Sequence, residues 1–249
     1  MKVTRDDLMN MPITVEIEDV LGADNFISEV FSYFEKVEEK FSTFKKDSEI
    51  SRINAGLIAP VDYSEEVKEI LKLAEQTRKE TNGYFNIVNS SGKLAPLGLV
   101  KGWAIYNASK ILINKGVKNF YINAGGDIQA IGKNKDGEYF RAGIRNPFKH
   151  NEIVKVVELK NVGMATSGIY IRGQHIYNPH KHDQVIDDVV SLTIIGPNVY
   201  EADRFATAAF AMGKDGIKFI EKLEGFEGYS IDKNGVATMT SNFEKYVIK

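Results

Sequence analysis

The 249-residue chain carries a formal net charge of −2, with 43% hydrophobic and 27% charged residues. That balance suits one globular domain with a substantial core, and it offers no basic footprint for nucleic acid or an anionic membrane. The absence of cysteine excludes disulfides, thiolate nucleophiles and Cys-ligated zinc or iron–sulfur sites.

The opening Met-Lys-Val-Thr-Arg-Asp-Asp has no apolar signal core, and no run approaches the roughly 18 apolar residues of a membrane span. The expectation is a cytoplasmic chain as it stands, with a trimmed export signal left open, forming one domain over residues 1–249. Residues 12–19 alternate, with Ile13, Val15 and Ile17 on one side, as in a half-buried strand. Over 24–41 the period becomes helical, and Phe26, Val30, Phe34, Val37 and Phe41 make one apolar stripe, read as core. Ser64 caps a second helix over 64–80 with Val67, Ile70, Leu71 and Ala74 inward. Residues 81–98, rich in Gly, Asn, Ser and Pro, read as irregular, and a helix over about 100–115 stops at Gly116. KNFYINAGGDIQAIG reads as a strand interrupted at Gly125-Gly126 and then continuing. EYFRAGIR and IVKVVELK read as antiparallel neighbours, and VVSLTIIG at 189–196 as a central strand. Helices follow at 199–213 and 214–224, then a hairpin turning at Asn234-Gly235. Helices and strands without strict βαβ alternation predict an α+β fold, with mixed or antiparallel sheets flanked by helices.

Three segments break local rules. In Leu97-Gly98-Leu99-Val100-Lys101-Gly102-Trp103 a lysine between glycines opens a predicted helix, where backbone N–H groups and the helix dipole favour an anion. Taken alone, it reads more readily as a turn with a surface lysine. In Asn123-Ala124-Gly125-Gly126-Asp127 the glycines permit a close backbone approach or a bulge, and Asp127 either holds a ribose hydroxyl or caps that bulge. In Glu201-Ala202-Asp203-Arg204-Phe205-Ala206-Thr207, Asp203 and Thr207 share one helix face. Carboxylate and hydroxyl together suit a hard cation such as Mg²⁺; the plainer reading is an acidic residue near a helix N-terminus. His175, His180 and His182 make a weak zinc pattern in a loop.

In this order the segments resemble the FAD:protein FMN transferase family, often called ApbE. The resemblance runs from about residue 11 to 213 and is carried by six short blocks. They are Phe41-Ser42-Thr43-Phe44 with Asp47 to Asn54; Thr81-Asn82-Gly83-Tyr84-Phe85-Asn86; Gly98 to Ala104; Ala124-Gly125-Gly126-Asp127-Ile128; Thr166-Ser167-Gly168 with Arg172-Gly173, His175-Ile176 and Pro179; and Ala202-Asp203 with Ala206-Thr207. The resemblance implies an α+β fold that binds FAD and Mg²⁺, cleaves the FAD pyrophosphate, and passes FMN to a threonine of an acceptor flavoprotein while AMP leaves. It implies Mg²⁺ on Asp203, Thr207 and the Val100 carbonyl, with Lys101 adding charge and His175 as base toward the acceptor. Met11, Ser48, Asn54, Gly83, Tyr84, Phe85, Lys101, Asp127, His175 and Ile176 are the expected dinucleotide contacts. His175, Lys101 and Asp203 are the expected catalytic residues. No nucleic acid and no membrane span enters this reading.

Three positions depart from the family pattern. Ala95, Tyr106 and Asn178 stand where it usually has aspartate. They add the reading of a non-catalytic FAD-binding relative, beside the FAD pyrophosphatase using water as acceptor that the resemblance also implies.

Overall fold

The computed structural model describes residues 1–20, 22–89, 91–169, 176–181 and 185–248. Ten strands and six helices lie among them. Strands β1 (Lys2–Leu8) and β2 (Met11–Ile17) form a hairpin, followed by helices α1 (Asp24–Phe41), α2 (Glu49–Asn54), α3 (Glu65–Glu80) and α4 (Leu97–Asn114). Then come β3 (Phe120–Ala124), β4 (Asp127–Ile131), β5 (Phe140–Asn146), β6 (Lys149–Leu159), β7 (Gly163–Gly168) and β8 (Val189–Gly196). Helices α5 (Val199–Ala211) and α6 (Gly216–Ile220) precede the closing strands β9 (Glu227–Asp232) and β10 (Ala237–Met239).

Eight strands make one sheet in the order β1-β2-β3-β4-β7-β8-β9-β10, and β5 and β6 pair apart from it. Every pairing is antiparallel. The inward residues Ile13, Val15, Ile17, Phe120 and Ile122 of β2 and β3 pack with α1, α3 and α4 in one apolar cluster. Leu192 and Ile194 of β8 meet α5 and α6, whereas Ile195 belongs with Ala142, Val157 and Leu159 of the β5–β6 ribbon. Strand β8 is thus covered on both faces, and all eight of its residues are buried. A strand so placed needs no alternation of buried and exposed residues, which explains why apolar residues fall on both of its faces.

The α1 stripe is confirmed as core: Val30, Phe34, Val37 and Phe41 are buried, and Phe26 is half-buried. Ser64 caps α3 by accepting from the Val67 N–H. Two expectations are corrected. The glycine pair at 125–126 is no interruption within one strand. It is a two-residue hairpin turn, with Ala124 opposite Asp127 and φ of +60° and +100° at Gly125 and Gly126. Two successive positive φ values are the mark of the tight turn that matches strand twist, and glycine takes them freely. Helix α4 begins at Leu97, directly after Pro96, rather than near 100. None of the helices described is long and apolar enough to cross a membrane.

Candidate functional site

Helix α5 is seated by its own start. Asn198 caps it through the Glu201 N–H at 3.0 Å, and the Val199 N–H donates to buried Gln129 Oε1 of β4 at 2.9 Å. From there α5 crosses the first turns of α4 with almost nothing between them. A Cβ added at Gly102 would lie 2.6 Å from Asp203 Cβ and 2.8 Å from the Val199 carbonyl oxygen. One added at Gly98 would lie 2.8 Å from Thr207 Cγ2 and 2.9 Å from Oγ1. The glycines are one helical turn apart, as are Asp203 and Thr207, so two gaps on α4 receive two polar side chains from α5.

The polar contacts follow that match. The Gly102 N–H donates to Asp203 Oδ2 at 2.8 Å, and Thr207 Oγ1 donates to the Gly98 carbonyl at 3.3 Å. The Gly98 carbonyl and Gly102 N–H are the two ends of one i→i−4 helical step. Helix α5 therefore reaches both ends of a single rung of α4. Asp203 is only 4% exposed, yet with Thr207 it lines a cleft of about 170 Å³.

Gly102→Ala tests this packing. Alanine gains about 1 kcal/mol of helix propensity over glycine. Here its methyl meets a backbone carbonyl as well as Asp203, and overpacking of that kind costs about 1–3 kcal/mol or more. The expected result in urea denaturation is a net loss of up to about 2 kcal/mol. A variant more stable than the parent would contradict the close crossing.

Lys101 lies one turn inside α4, not at its opening as expected, because Pro96 starts the helix early. Its Nζ is 2.6 Å from Asp127 Oδ2, with the lysine side chain 14% and the aspartate 1% exposed. Asp127 Oδ1 accepts the Thr166 N–H at 3.1 Å. Asp127 thus ties the β3–β4 turn to β7 and sets the Lys101 ammonium at the cleft wall.

Tyr84, Phe85 and Ile176 line the same cleft, together with Ala95, Gly125, Ser167, Tyr177 and Pro179. Gly83 has φ +83°, and a Cβ there would lie 3.2 Å from the His180 ring. His180 Nε2 is 2.9 Å from the Asn82 carbonyl oxygen, and its ring meets Tyr84 edge-on at 4.5 Å. Tyr177 Oη donates to the Val88 carbonyl at 2.5 Å, and burial raises that phenol's pKa above its ordinary value. Residues 176–181 are thereby strapped onto the 82–88 segment.

Met11 and Val100 lie in a neighbouring, largely apolar cleft of about 390 Å³, with Met9, Phe41, Phe44 and Glu38. Leu97 and Lys101 line both clefts. Met11 also packs on the hairpin turn, its Sδ 2.9 Å from where a Gly125 Cβ would be. Ser48 and Asn54 line neither cleft. Ser48 caps α2 through the Ser51 N–H at 3.0 Å and donates to the Ser42 carbonyl at 2.5 Å. Asn54 grips the Leu94 backbone from both sides, at 2.9 and 2.8 Å. Both hold the loops that frame the site. His175, Arg172, Gly173 and His182 lie outside the described residues. No cluster of three His, Cys, Asp or Glu residues able to hold a metal occurs among those described.

Of the three departures from the family pattern, Ala95 lines the cleft with Asp203. Tyr106 lies on α4 beneath Lys110, whose Nζ is 4.2 Å from the ring centroid. Asn178 accepts the His180 N–H at 2.9 Å. Sequence reasoning missed Met9 and Glu38 at the second cleft; Met9, at φ +52°, donates its N–H to Glu38 Oε1 at 3.1 Å. A non-glycine residue in that conformation gives no signal in a single sequence.

The model of the ApbE family matches residues 9–95 and 89–230. Curated relatives are called FAD:protein FMN transferase. The Escherichia coli (strain K12) protein is 26% identical over 160 residues, covering 59% of this chain and 46% of that protein. The Haemophilus influenzae protein is 23% identical over 279 residues, covering 86% and 81%. The chain thus spans about half the length of the first of these relatives. Among solved structures, the flavin transferase ApbE from Vibrio cholerae superposes with a TM-score of 0.85 at 20% identity, covering 99% of each chain. The Thermotoga maritima ApbE protein gives a TM-score of 0.86 at 20% identity, covering 100% of this chain and 99% of that one. These likenesses bear out the α+β fold.

Proposed function

The chain belongs to the ApbE family, and from that premise we propose that it is an Mg²⁺-dependent FAD:protein FMN transferase. It would cleave the FAD pyrophosphate, pass FMN to a threonine of an acceptor flavoprotein and release AMP. The observation that carries this reading is the junction of two clefts at Lys101, beside an all-oxygen donor set. A dinucleotide has two ring systems joined by a pyrophosphate. Two clefts that share one buried-stemmed lysine suit that shape.

The donor set fits a hard divalent cation. Asp203 supplies a carboxylate, Thr207 a hydroxyl, and the Gly98 carbonyl lies 3.3 Å from that hydroxyl. Oxygen ligands of this kind, few in number, match Mg²⁺, which keeps its remaining positions for water and phosphate. The Val100 carbonyl joins the set by family resemblance. Bound there, Mg²⁺ would neutralise charge building on the pyrophosphate oxygens. Asp203 is held for this by the Gly102 N–H, which fixes one carboxylate oxygen. Lys101, steadied by Asp127, adds a positive charge at the junction. Phosphoryl transfer is governed by positioning and charge neutralisation, so these residues address its main demand.

AMP is a good leaving group, since its phosphate has a second pKa near about 6. The harder step is attack by a neutral hydroxyl, which calls for a base on the acceptor side. His175 fills that role in this reading, by family resemblance. The test is AMP release from FAD with and without Mg²⁺. Release that stops with a chelator and resumes with added Mg²⁺ supports the proposal, and release indifferent to the metal overturns its metal-dependent part.

A further inference from the structure

Arg204 follows Asp203 in α5, yet its side chain points the other way and is nearly buried, 6% exposed. Its Nε and Nη2 donate to Glu201 Oε2 at 2.8 and 2.5 Å. Its Nη1 pairs with Glu80 and donates to Thr77 Oγ1 at 3.3 Å. The guanidinium also lies 4.0 Å from the Phe205 ring centroid. Glu80 is the last residue of α3, where the helix dipole disfavours a carboxylate. Arg204 supplies the opposing charge.

The next residue, Thr81, begins the turn that lines the cleft. Its Oγ1 donates to the Thr77 carbonyl at 2.7 Å and accepts the Phe85 N–H at 3.1 Å. A single guanidinium therefore links the end of α3, from which the turn at 81–85 springs, to the helix that carries Asp203 and Thr207. Replacing a buried ion network with apolar residues is often neutral for stability, so such a network is better understood as a device for register.

We propose that Arg204 is a positioning residue that sets the Asp203–Thr207 face of α5 against the cleft-lining turn after α3. The inference rests on the metal reading above, and its test includes a readout other than turnover. Mn²⁺ binding is measured by electron paramagnetic resonance of the free ion, without FAD, for the parent chain and for Arg204→Met, Glu80→Ala and the double variant. Thermal unfolding is followed alongside. The expected result is that each single variant weakens Mn²⁺ binding about tenfold, and that the double variant is no worse, because one bridge is broken either way. Arg204→Lys restores binding only in part, since a lysine cannot serve two carboxylates from a planar fork. Arg78→Met, which breaks an exposed pair with Glu75, leaves Mn²⁺ binding unchanged. If Arg204→Met does not fold, Glu80→Ala carries the test, as Glu80 is 38% exposed. Variants that unfold earlier but bind Mn²⁺ like the parent overturn the positioning role alone. A parent chain that binds no Mn²⁺ overturns the metal reading and this inference together.

Discussion

Asp203→Ala is expected to lower Mg²⁺-dependent AMP release from FAD by about 100-fold or more, while the chain stays folded. Charge stabilisation of a transferring phosphoryl group is lost with the ligand, and single electrostatic contacts of this kind are worth about 10²–10³ in rate. The fold should survive. Removing the carboxylate leaves the Gly102 N–H buried without that acceptor, a cost of about 1–3 kcal/mol against a typical stability of about 5–15 kcal/mol. Asp203→Asn separates the two effects. Its amide oxygen can still accept from Gly102 but is a poor ligand for Mg²⁺, so near-parental stability with the same loss of turnover is the expected result. Turnover within twofold of the parent in either variant would remove Asp203 from the metal site.

Asp127→Ala should act chiefly on stability. The Lys101–Asp127 pair is buried, at 2.6 Å, and the same carboxylate holds the Thr166 N–H. Breaking a buried pair from one side costs about 3–5 kcal/mol, because the remaining charge stays in a poorly solvated place. Lys101 reaches the cleft, so about 3 kcal/mol is expected here. In a chain of this length that lowers the unfolding midpoint by about 6–12 °C. Asp127→Asn keeps an acceptor for Thr166 and should lose less. A fall below about 1 kcal/mol for the alanine variant would mean that the ammonium is well solvated, and that Asp127 is free to serve the ligand directly.

Much of the fold was legible because burial imposes a period. Helix α1 spans Asp24–Phe41, the bounds its apolar stripe predicts, and β8 matches its run over 189–196. Strand β1 was not legible: KVTRDDL is a sheet edge with one buried residue, so no alternation marks it. Helix α2 is too short to show a period. The glycines of α4 were visible, but their reason was not. They read as a turn with a surface lysine, or as an anion-binding helix start, whereas they make room for Asp203 and Thr207 from a helix about a hundred residues later. Small residues four apart on both segments were the available signal, and only a tertiary contact pairs them. The family's pattern names Ser48 and Asn54 but not their local roles: Ser48 caps a helix and Asn54 grips a loop.

In the proposed reading, the three departures from the family pattern would bear on catalysis unequally. Ala95 is at the cleft wall, so an aspartate lost there removes negative charge beside the proposed metal ligands. Tyr106 lines neither cleft, and Asn178 keeps a hydrogen-bonding role in the 176–181 strap. In the proposed reading, the change at 95 would therefore be the one that most directly lowers metal affinity.

The most direct measurement is to incubate the protein with FAD and Mg²⁺, with and without an acceptor domain bearing a flavinylation threonine, and to follow AMP and the acceptor's mass together. The transferase reading predicts AMP release matched by covalent addition of one FMN to the acceptor. AMP release with a competent acceptor left unlabelled would contradict it in favour of FAD hydrolysis, and tight FAD binding with no AMP would leave a flavin-binding protein without transferase activity.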